Sequence, residues 1–273
     1  MKSLNCAKVM SSFRLVNLPI PTEILRFPVV HFAEIDSTNA YLLDRHSHPS
    51  GTIVWADFQS AGRGRLGRSW ITPPNEALLF SIYLKIHHNE TPLFIYSFLT
   101  AVGVLEGLQT LVAPAQLALK WPNDVLLKNM KVCGILVQSK TRSEDNADVV
   151  IGVGVNLNQN SDFFIPDLPF ASSLYSITGK KYEREDVLAK LIFAIDQNLV
   201  ALNGNGTVPI LEKWRKYCPY IGQKIKVNDG QKVHSGVFQN ISADGGLILQ
   251  VGRTYQTFHA AEVTIVREAQ ECY

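Results

Sequence analysis

The chain has 273 residues, 46% of them hydrophobic, which is enough for one large core or for a core with a small satellite domain. Lys and Arg number 26 against 24 Asp and Glu, and a formal net charge of +2 excludes a general electrostatic pull toward nucleic acid, so anion binding has to be local. Cys6, Cys133, Cys218 and Cys272 are scattered with no C-x-x-C pair, which argues against a disulfide framework or a structural metal site and for a reducing compartment.

No apolar h-region follows Lys2, and no run of about 18 apolar residues occurs, so the expectation is a soluble cytoplasmic protein with no membrane partner. Residues 1–28 are weakly patterned and hold Pro19, Pro21 and Pro28; they read as an N-terminal extension with room for at most one short helix around Thr22–Phe27. From Val29 a mixed α/β pattern begins. Apolar runs at Val29–Phe32, Thr52–Ala56, Leu78–Lys85, Leu117–Trp121, Val132–Gln138 and Val149–Leu157 predict strands, several buried on both faces. Helical spacing covers Thr38–Arg45, Phe94–Leu111, Arg184–Leu202 and Val208–Tyr217. No repeat of solenoid period is present. After Pro219 come five short alternating runs broken by "NDG", "ADGG" and "VGR", the pattern of a small antiparallel barrel. The predicted division is therefore an extension (1–28), an α/β domain (29–218) and a C-terminal barrel (219–273), with the last boundary near Cys218–Tyr220.

Three clusters carry chemistry. "QSAGRGRLGRSW" (Gln59–Trp70) interleaves Arg63, Arg65 and Arg68 with glycines. Glycine lets backbone N–H groups approach a ligand, and arginine offers bidentate donors to phosphate or carboxylate, each charged hydrogen bond contributing about 1.5–3 kcal/mol. A solvated basic loop or an RNA-contacting tract has the same composition, but this stretch is single and lies between apolar strands that fix it over a sheet edge. "LKWPNDVLLKNMKVCGILVQ" (Leu119–Gln138) gathers Lys120, Asn123, Asp124 and Lys131 on a strand-turn-strand unit, with Pro122 enforcing the turn and a strand returning through Val132–Val137. A polar hairpin tip is the plainer reading, against which Trp121 and Pro122 imply a turn packed into the core. "VVIGVGVNLN" (Val149–Asn158) is a buried-type strand with Gly152 and Gly154 on one face. It lacks the third Gly of a dinucleotide fingerprint, and no Walker A sequence exists, so a nucleotide needs another binding mode.

Taken together in this order, "DSTN" (Asp36–Asn39), "QSAGRGRLGRSW", "KWPNDV", "KVCGIL" (Lys131–Leu136), "GVGVNLN" (Gly152–Asn158) and the C-terminal barrel resemble the biotin protein ligases, over about Val29–Val266. The resemblance implies a class II aminoacyl-tRNA synthetase-like α/β catalytic domain with a small SH3-like barrel. It also implies a two-step reaction: biotin and Mg-ATP give biotinyl-5′-AMP and pyrophosphate, then a lysine of a biotin carboxyl carrier protein attacks the adenylate. Two anions must meet, the biotin carboxylate and the α-phosphate, so positive charge has to offset their repulsion. Arg65, Lys120 and Lys131 with Asp124 are the catalytic candidates. By family resemblance Ser37, Thr38, Asn39, Gln59, Arg63, Gly64, Arg65, Lys131 and Gly134 belong to the biotin site, with Lys131 on the carboxyl. Arg63, Arg65, Arg68, Trp70, Asn123, Asp124 and Asn156 match the ATP and adenylate end, with Trp70 against adenine; no protein metal site is implied beyond Mg2+ with ATP.

Some positions depart from the family pattern. Only some thirty residues precede the catalytic start, so no operator binding is expected. Gln138 stands where relatives often carry Glu, and Leu66 where several carry a further basic residue. Asp124 or the adenylate phosphate region is the candidate to accept the attacking lysine's proton. Monomer and homodimer are both compatible with the pattern. A lipoate or octanoate ligase of the same fold is the alternative enzyme, and a nucleic-acid-binding module the non-enzymatic one.

Overall fold

The computed structural model describes residues 13–26, 28–44, 48–87, 91–164, 168–259 and 261–265. In chain order its elements are β1 (Phe13–Val16), β2 (Val29–Ile35), α1 (Thr38–Asp44), β3 (Thr52–Gln59), β4 (Ala77–His87), α2 (Leu93–Leu108), β5 (Leu117–Lys120), β6 (Asp124–Leu127), β7 (Met130–Thr141) and β8 (Asn146–Asn156). Then follow α3 (Leu174–Thr178), α4 (Arg184–Asn205), α5 (Val208–Tyr217), β9 (Lys224–Asn228), β10 (Val233–Ile241), β11 (Leu247–Val251), β12 (Thr254–Phe258) and β13 (Glu262–Ile265).

The first eight strands form one sheet in the order β1-β2-β3-β4-β8-β7-β6-β5. Strands β2 and β3 run parallel, and every other neighbouring pair is antiparallel. Both faces are covered, which is why the central strands read as continuous apolar runs. On one face Leu78, Phe80 and Ile82 of β4 share a core with α2, α4 and α5; on the other, Tyr83 packs with Leu42 of α1, Phe32, Val54 and Val150. Each such fully buried side chain contributes about 1.5–3 kcal/mol relative to exposure. The mixed α/β architecture is the one the sequence pattern predicts.

Several local expectations change. No helix forms over the described part of Thr22–Phe27, and Phe27 itself lies outside the described residues. The backbone N–H groups of Glu23, Ile24 and Leu25 are instead taken by the buried Asp196 carboxylate at 2.8, 2.9 and 2.8 Å. A fixed carboxylate satisfies those donors without a helical turn. Upstream, β1 adds an edge strand to β2, so part of the predicted extension is tied into the sheet. The helix predicted to reach Leu111 stops at Leu108, and Arg45, the last residue of the first predicted helix, lies outside the described residues.

The "KWPND" region contains two hairpins rather than one. Strand β5 turns through Trp121–Asn123, with a cis Trp121–Pro122 bond, into the short strand β6. A second turn at Lys128 and Asn129, both at positive φ (49° and 63°), then leads into β7. Two consecutive left-handed residues close a tight hairpin, a conformation that a Lys-Asn pair does not announce in sequence.

The C-terminal strands form a second antiparallel sheet in the order β12-β11-β10-β9-β13. Its five strands are consistent with the SH3-like module, although among the described residues no ladder joins β12 to β13 to close a barrel. This sheet is not detached: Ile225, Phe238 and Leu249 share one core with Trp214 of α5, and Trp121 Nε1 donates to the Gly245 carbonyl at 3.0 Å. Helix α4 is long and apolar enough by composition to cross a bilayer, but its apolar stripe, Val187 to Leu202, is buried in this fold.

Candidate active site

The parallel pairing of β2 with β3 sends both strands toward the same end of the sheet, so the start of α1 and the end of β3 meet there. Thr38 donates to Gln59 Oε1 from its backbone N at 2.7 Å and lies 2.9 Å from the same oxygen through its hydroxyl. Ser37 Oγ accepts weakly from Ala40 N at 3.4 Å, an N-cap contact compatible with ligand binding. Asn39 Nδ2 donates to the Leu136 carbonyl at 3.3 Å and to Gln138 Oε1 at 2.8 Å, while its Oδ1 accepts from Ser81 Oγ at 2.6 Å. Gln138 thus holds Asn39 as a neutral acceptor. Gly152 is required here, since a Cβ on it would stand 2.3 Å from Asn39 Oδ1.

Two residues along β8, Gly154 lies directly opposite Gly134 of β7. The Trp70 indole occupies the space both glycines leave open: a Cβ on Gly154 would stand 2.6 Å from the ring and one on Gly134 2.8 Å from it. Alternate glycines on one strand therefore seat two different side chains, Asn39 and Trp70, as period-two geometry requires. Trp70 is delivered by a loop that closes on itself. Gly64 N donates to Arg68 O, Arg68 N to Arg65 O and Trp70 N to Gly62 O, at 2.7, 3.1 and 2.9 Å. The reversal is made at Leu66 and Gly67, both at positive φ (54° and 74°). Leu66 sits exposed at this turn, so the position without the extra basic residue is a backbone corner.

Positive charge gathers at the adjoining end. Lys131 Nζ lies 2.6 Å from Asp124 Oδ1, a charge contact rather than an aligned hydrogen bond, and 5.7 Å from the centre of a Trp70 ring. Arg65 donates to Asn123 Oδ1 at 3.2 Å, and Asn123 Nδ2 to the Ile135 carbonyl at 2.6 Å. Burial lowers the proton affinity of Lys120, with Lys131 adding to the effect and Asp124 opposing it; burial does the same to Arg65. Arg68 reaches across to pair with Glu262 of the C-terminal sheet. Cys133, beneath Lys131, is fully buried, and burial pushes its thiol far above the ordinary range, which removes it as a nucleophile.

These groups line a single cleft of about 680 Å³, within the range of small-molecule sites. All fifteen residues singled out from sequence border it: the neutral set Ser37, Thr38, Asn39 and Gln59; the loop residues Arg63, Gly64, Arg65, Arg68 and Trp70; and Lys120, Asn123, Asp124, Lys131, Gly134 and Asn156. Two walls escaped sequence reasoning. Phe163, Phe164, Leu168 and Phe170 follow β8, where "Lys131 N to Phe170 O" (2.8 Å) and "Ser172 N to Lys131 O" (3.0 Å) tie that segment to the lysine's backbone. Ala261, Glu262 and Val263 come from the C-terminal sheet. Neither stretch carries a local signal; only tertiary proximity reveals it.

The biotin/lipoate A/B protein ligase family model matches residues 31–156, which span most of this cleft. The chain is 34% identical over 236 residues to the biotin–[acetyl-CoA-carboxylase] ligase of Paracoccus denitrificans, covering 85% of this chain and 98% of that protein. It is 29% identical over 255 residues to the bifunctional ligase/repressor BirA of Bacillus spizizenii, covering 92% and 78%. Among solved structures, the Aquifex aeolicus biotin protein ligase in complex with biotin and ATP superposes with a TM-score of 0.73 at 30% identity, covering 88% of this chain and 99% of that one. With this identity over most of both chains and the whole fold superposing on that of a solved relative, the chain belongs to the biotin/lipoate A/B protein ligase family, among its biotin protein ligases.

Proposed function

We propose that this protein activates biotin with ATP to biotinyl-5′-AMP, releasing pyrophosphate, and transfers the biotinyl group to a lysine of a carrier domain, releasing AMP. The observation that carries this reading is one cleft with two unlike ends: hydrogen-bonding groups without charge at Thr38, Asn39 and Gln59, and three cations at Arg65, Lys120 and Lys131. A cyclic urea suits the first end, since Gln59 Nε2 has no partner among the described residues and can donate to a ureido oxygen.

At the second end the cations lower the repulsion between a carboxylate and the α-phosphate, and their low-dielectric setting strengthens that effect. We assign Lys131 to the biotin carboxylate and then to the adenylate, with Asp124 holding its ammonium in position. Arg65, braced by Asn123, and Arg63 clamp the intermediate, Arg68 and Asn156 border the nucleotide, and Trp70 offers its face to adenine. Gly64 allows close approach of ligand to backbone, and Gly134 leaves the room in which Trp70 and Lys131 stand beside the ligand. A mixed anhydride is water-sensitive, and Phe163, Phe164 and Phe170 give the cleft an apolar wall on one side.

No group of three His, Cys, Asp or Glu suited to a metal occurs among the described residues, and the nearby Asp124 and Glu262 are each paired with a cation. A Mg2+ ion arriving with ATP would be held mainly by phosphate and water and would supply charge neutralisation to the leaving pyrophosphate. Residues 29–218 are read as the catalytic unit and 219–273 as the module completing its wall. The acceptor is the carrier domain of a biotin-dependent carboxylase, and the working compartment is the cytoplasm.

The test is transfer of labelled biotin to a purified carrier domain, with and without ATP. ATP-dependent labelling is expected; labelling with lipoate in place of biotin overturns the assignment in favour of the sister activity. A nucleic-acid module is disfavoured because Arg65 and Arg68, the residues it would use, are turned to Asn123 and Glu262.

A further inference from the structure

Ser81 lies on β4, is fully buried and does not line the cleft, yet it stands between two residues that do. Its Oγ is 2.6 Å from Thr38 Oγ1 and 2.6 Å from Asn39 Oδ1, and Thr38 Oγ1 is 2.9 Å from Gln59 Oε1. The polarity of this relay is set at each end by what the closing amide contacts. At one end the Thr38 N–H must find an oxygen at 2.7 Å, so Gln59 presents Oε1. At the other, Asn39 turns Nδ2 to Gln138 Oε1 at 2.8 Å and to the Leu136 carbonyl at 3.3 Å, which leaves Oδ1 facing inward to Ser81.

Two amide oxygens therefore close a row containing two hydroxyls. Three oxygen–oxygen contacts are made, and only two hydroxyl protons exist to fill them. Ser81 gives its proton to Asn39, Thr38 gives its own either to Ser81 or to Gln59, and one contact is left as lone pair against lone pair. The Thr38–Gln59 contact borders the cleft, so the missing donor there has to come from whatever occupies the cleft.

We infer that Ser81 is a specificity-determining positioning residue: by drawing the Thr38 proton inward it leaves the Thr38–Gln59 edge one hydrogen short, and a ligand N–H entering from the cleft completes it. This rests on the biotin reading and deepens it, since it makes a ring N–H, rather than ring shape alone, the feature the neutral end selects. A dithiolane ring has no such donor. Removing Ser81 removes one proton but two contacts, so the Thr38 proton then serves Gln59 alone and the demand for a ligand donor disappears.

The experiment is a cycle of protein and ligand changes read by calorimetric dissociation constants without ATP. The ligands are biotin and its two cyclic carbamate analogues, each with one ureido N–H replaced by oxygen. Wild-type protein is expected to bind one analogue on the order of 10- to 100-fold more weakly than biotin, the penalty of leaving a buried acceptor unpaired. In Ser81→Ala that gap should shrink to about threefold or less, whatever the variant loses in absolute affinity. A gap that stays the same in the variant, or wild-type protein that does not distinguish either analogue, overturns the inference. Ser81→Cys, which keeps volume but donates poorly, is the second variant, and it should narrow the gap too if Ser81→Ala does not fold. Failure of wild-type protein to bind biotin at all is a separate outcome, which overturns the parent assignment along with this one.

Discussion

The two ends of the cleft solve recognition differently. At the neutral end, Thr38, Asn39 and Ser81 are buried and held by one connected set of hydrogen bonds that begins at the Thr38 N–H and ends at Gln138 and the Leu136 carbonyl. At the charged end, Lys131, Asp124, Arg65, Lys120 and Glu262 neutralise one another across a more open space, so an arriving anion has only to repartition existing pairs. The first arrangement is suited to identifying a ring, because a mismatched donor cannot be accommodated by rotation. The second is suited to chemistry in which negative charge is brought in, redistributed and released.

The largest expected effect falls on the charged end. Lys131→Ala should lower biotin-dependent pyrophosphate exchange by on the order of 10³-fold while leaving the thermal midpoint close to that of the parent; normal exchange would remove Lys131 from the reaction. Arg65→Gly comes next. Loss of one charged anchor should speed release of biotinyl-AMP by about 10-fold or more, measured as the adenylate off-rate, and an unchanged rate would mean that Arg65 is not a clamp.

The alternate glycines of β8 separate the ends directly. Gly152→Ala places a methyl group against Asn39 and should raise the biotin KM, whereas Gly154→Ala places one against Trp70 and should raise the ATP KM, each by roughly 10-fold. If both variants raised the same KM, the division of the cleft would be wrong. The smallest effect is expected at the rim: Glu262→Gln frees an Arg68 whose side chain is 68% exposed, and such pairs contribute about 0–1 kcal/mol, so steady-state constants should move by about threefold or less.

Most of the charged end was legible in sequence because its residues are dense along the chain: Lys120, Asn123, Asp124 and Lys131 fall within one double hairpin. The loops that follow β2 and β3 were also legible, through capping chemistry at Ser37 and the Arg/Gly spacing, whereas the parallel pairing that brings them together was not. Ser81 was not, since a serine within "LLFSIYLK" gives no hint that it faces Thr38 across a sheet face. The β6 strand was missed for a different reason. Four residues between two turns carry too few positions for periodicity to register, and the second turn depends on left-handed backbone at Lys128 and Asn129. The apolar wall after β8 and the contribution of Glu262 depend on contacts with segments far away in sequence, which pattern reading does not reach.

The register of β7 against β8 has a consequence for how such a chain can change over time. Gly134 faces Gly154, and Leu136 faces Gly152. Deleting or inserting one residue in either strand would bring Val153 or Ile135 under the indole and turn the glycines to the other face of the sheet. Length variation within these strands is therefore confined to even steps or to their outer ends, while the hairpin joining them near Ser143 is free to grow or shrink. Comparison of natural variants by the position of their gaps, rather than by their substitutions, would trace the floor of the cleft.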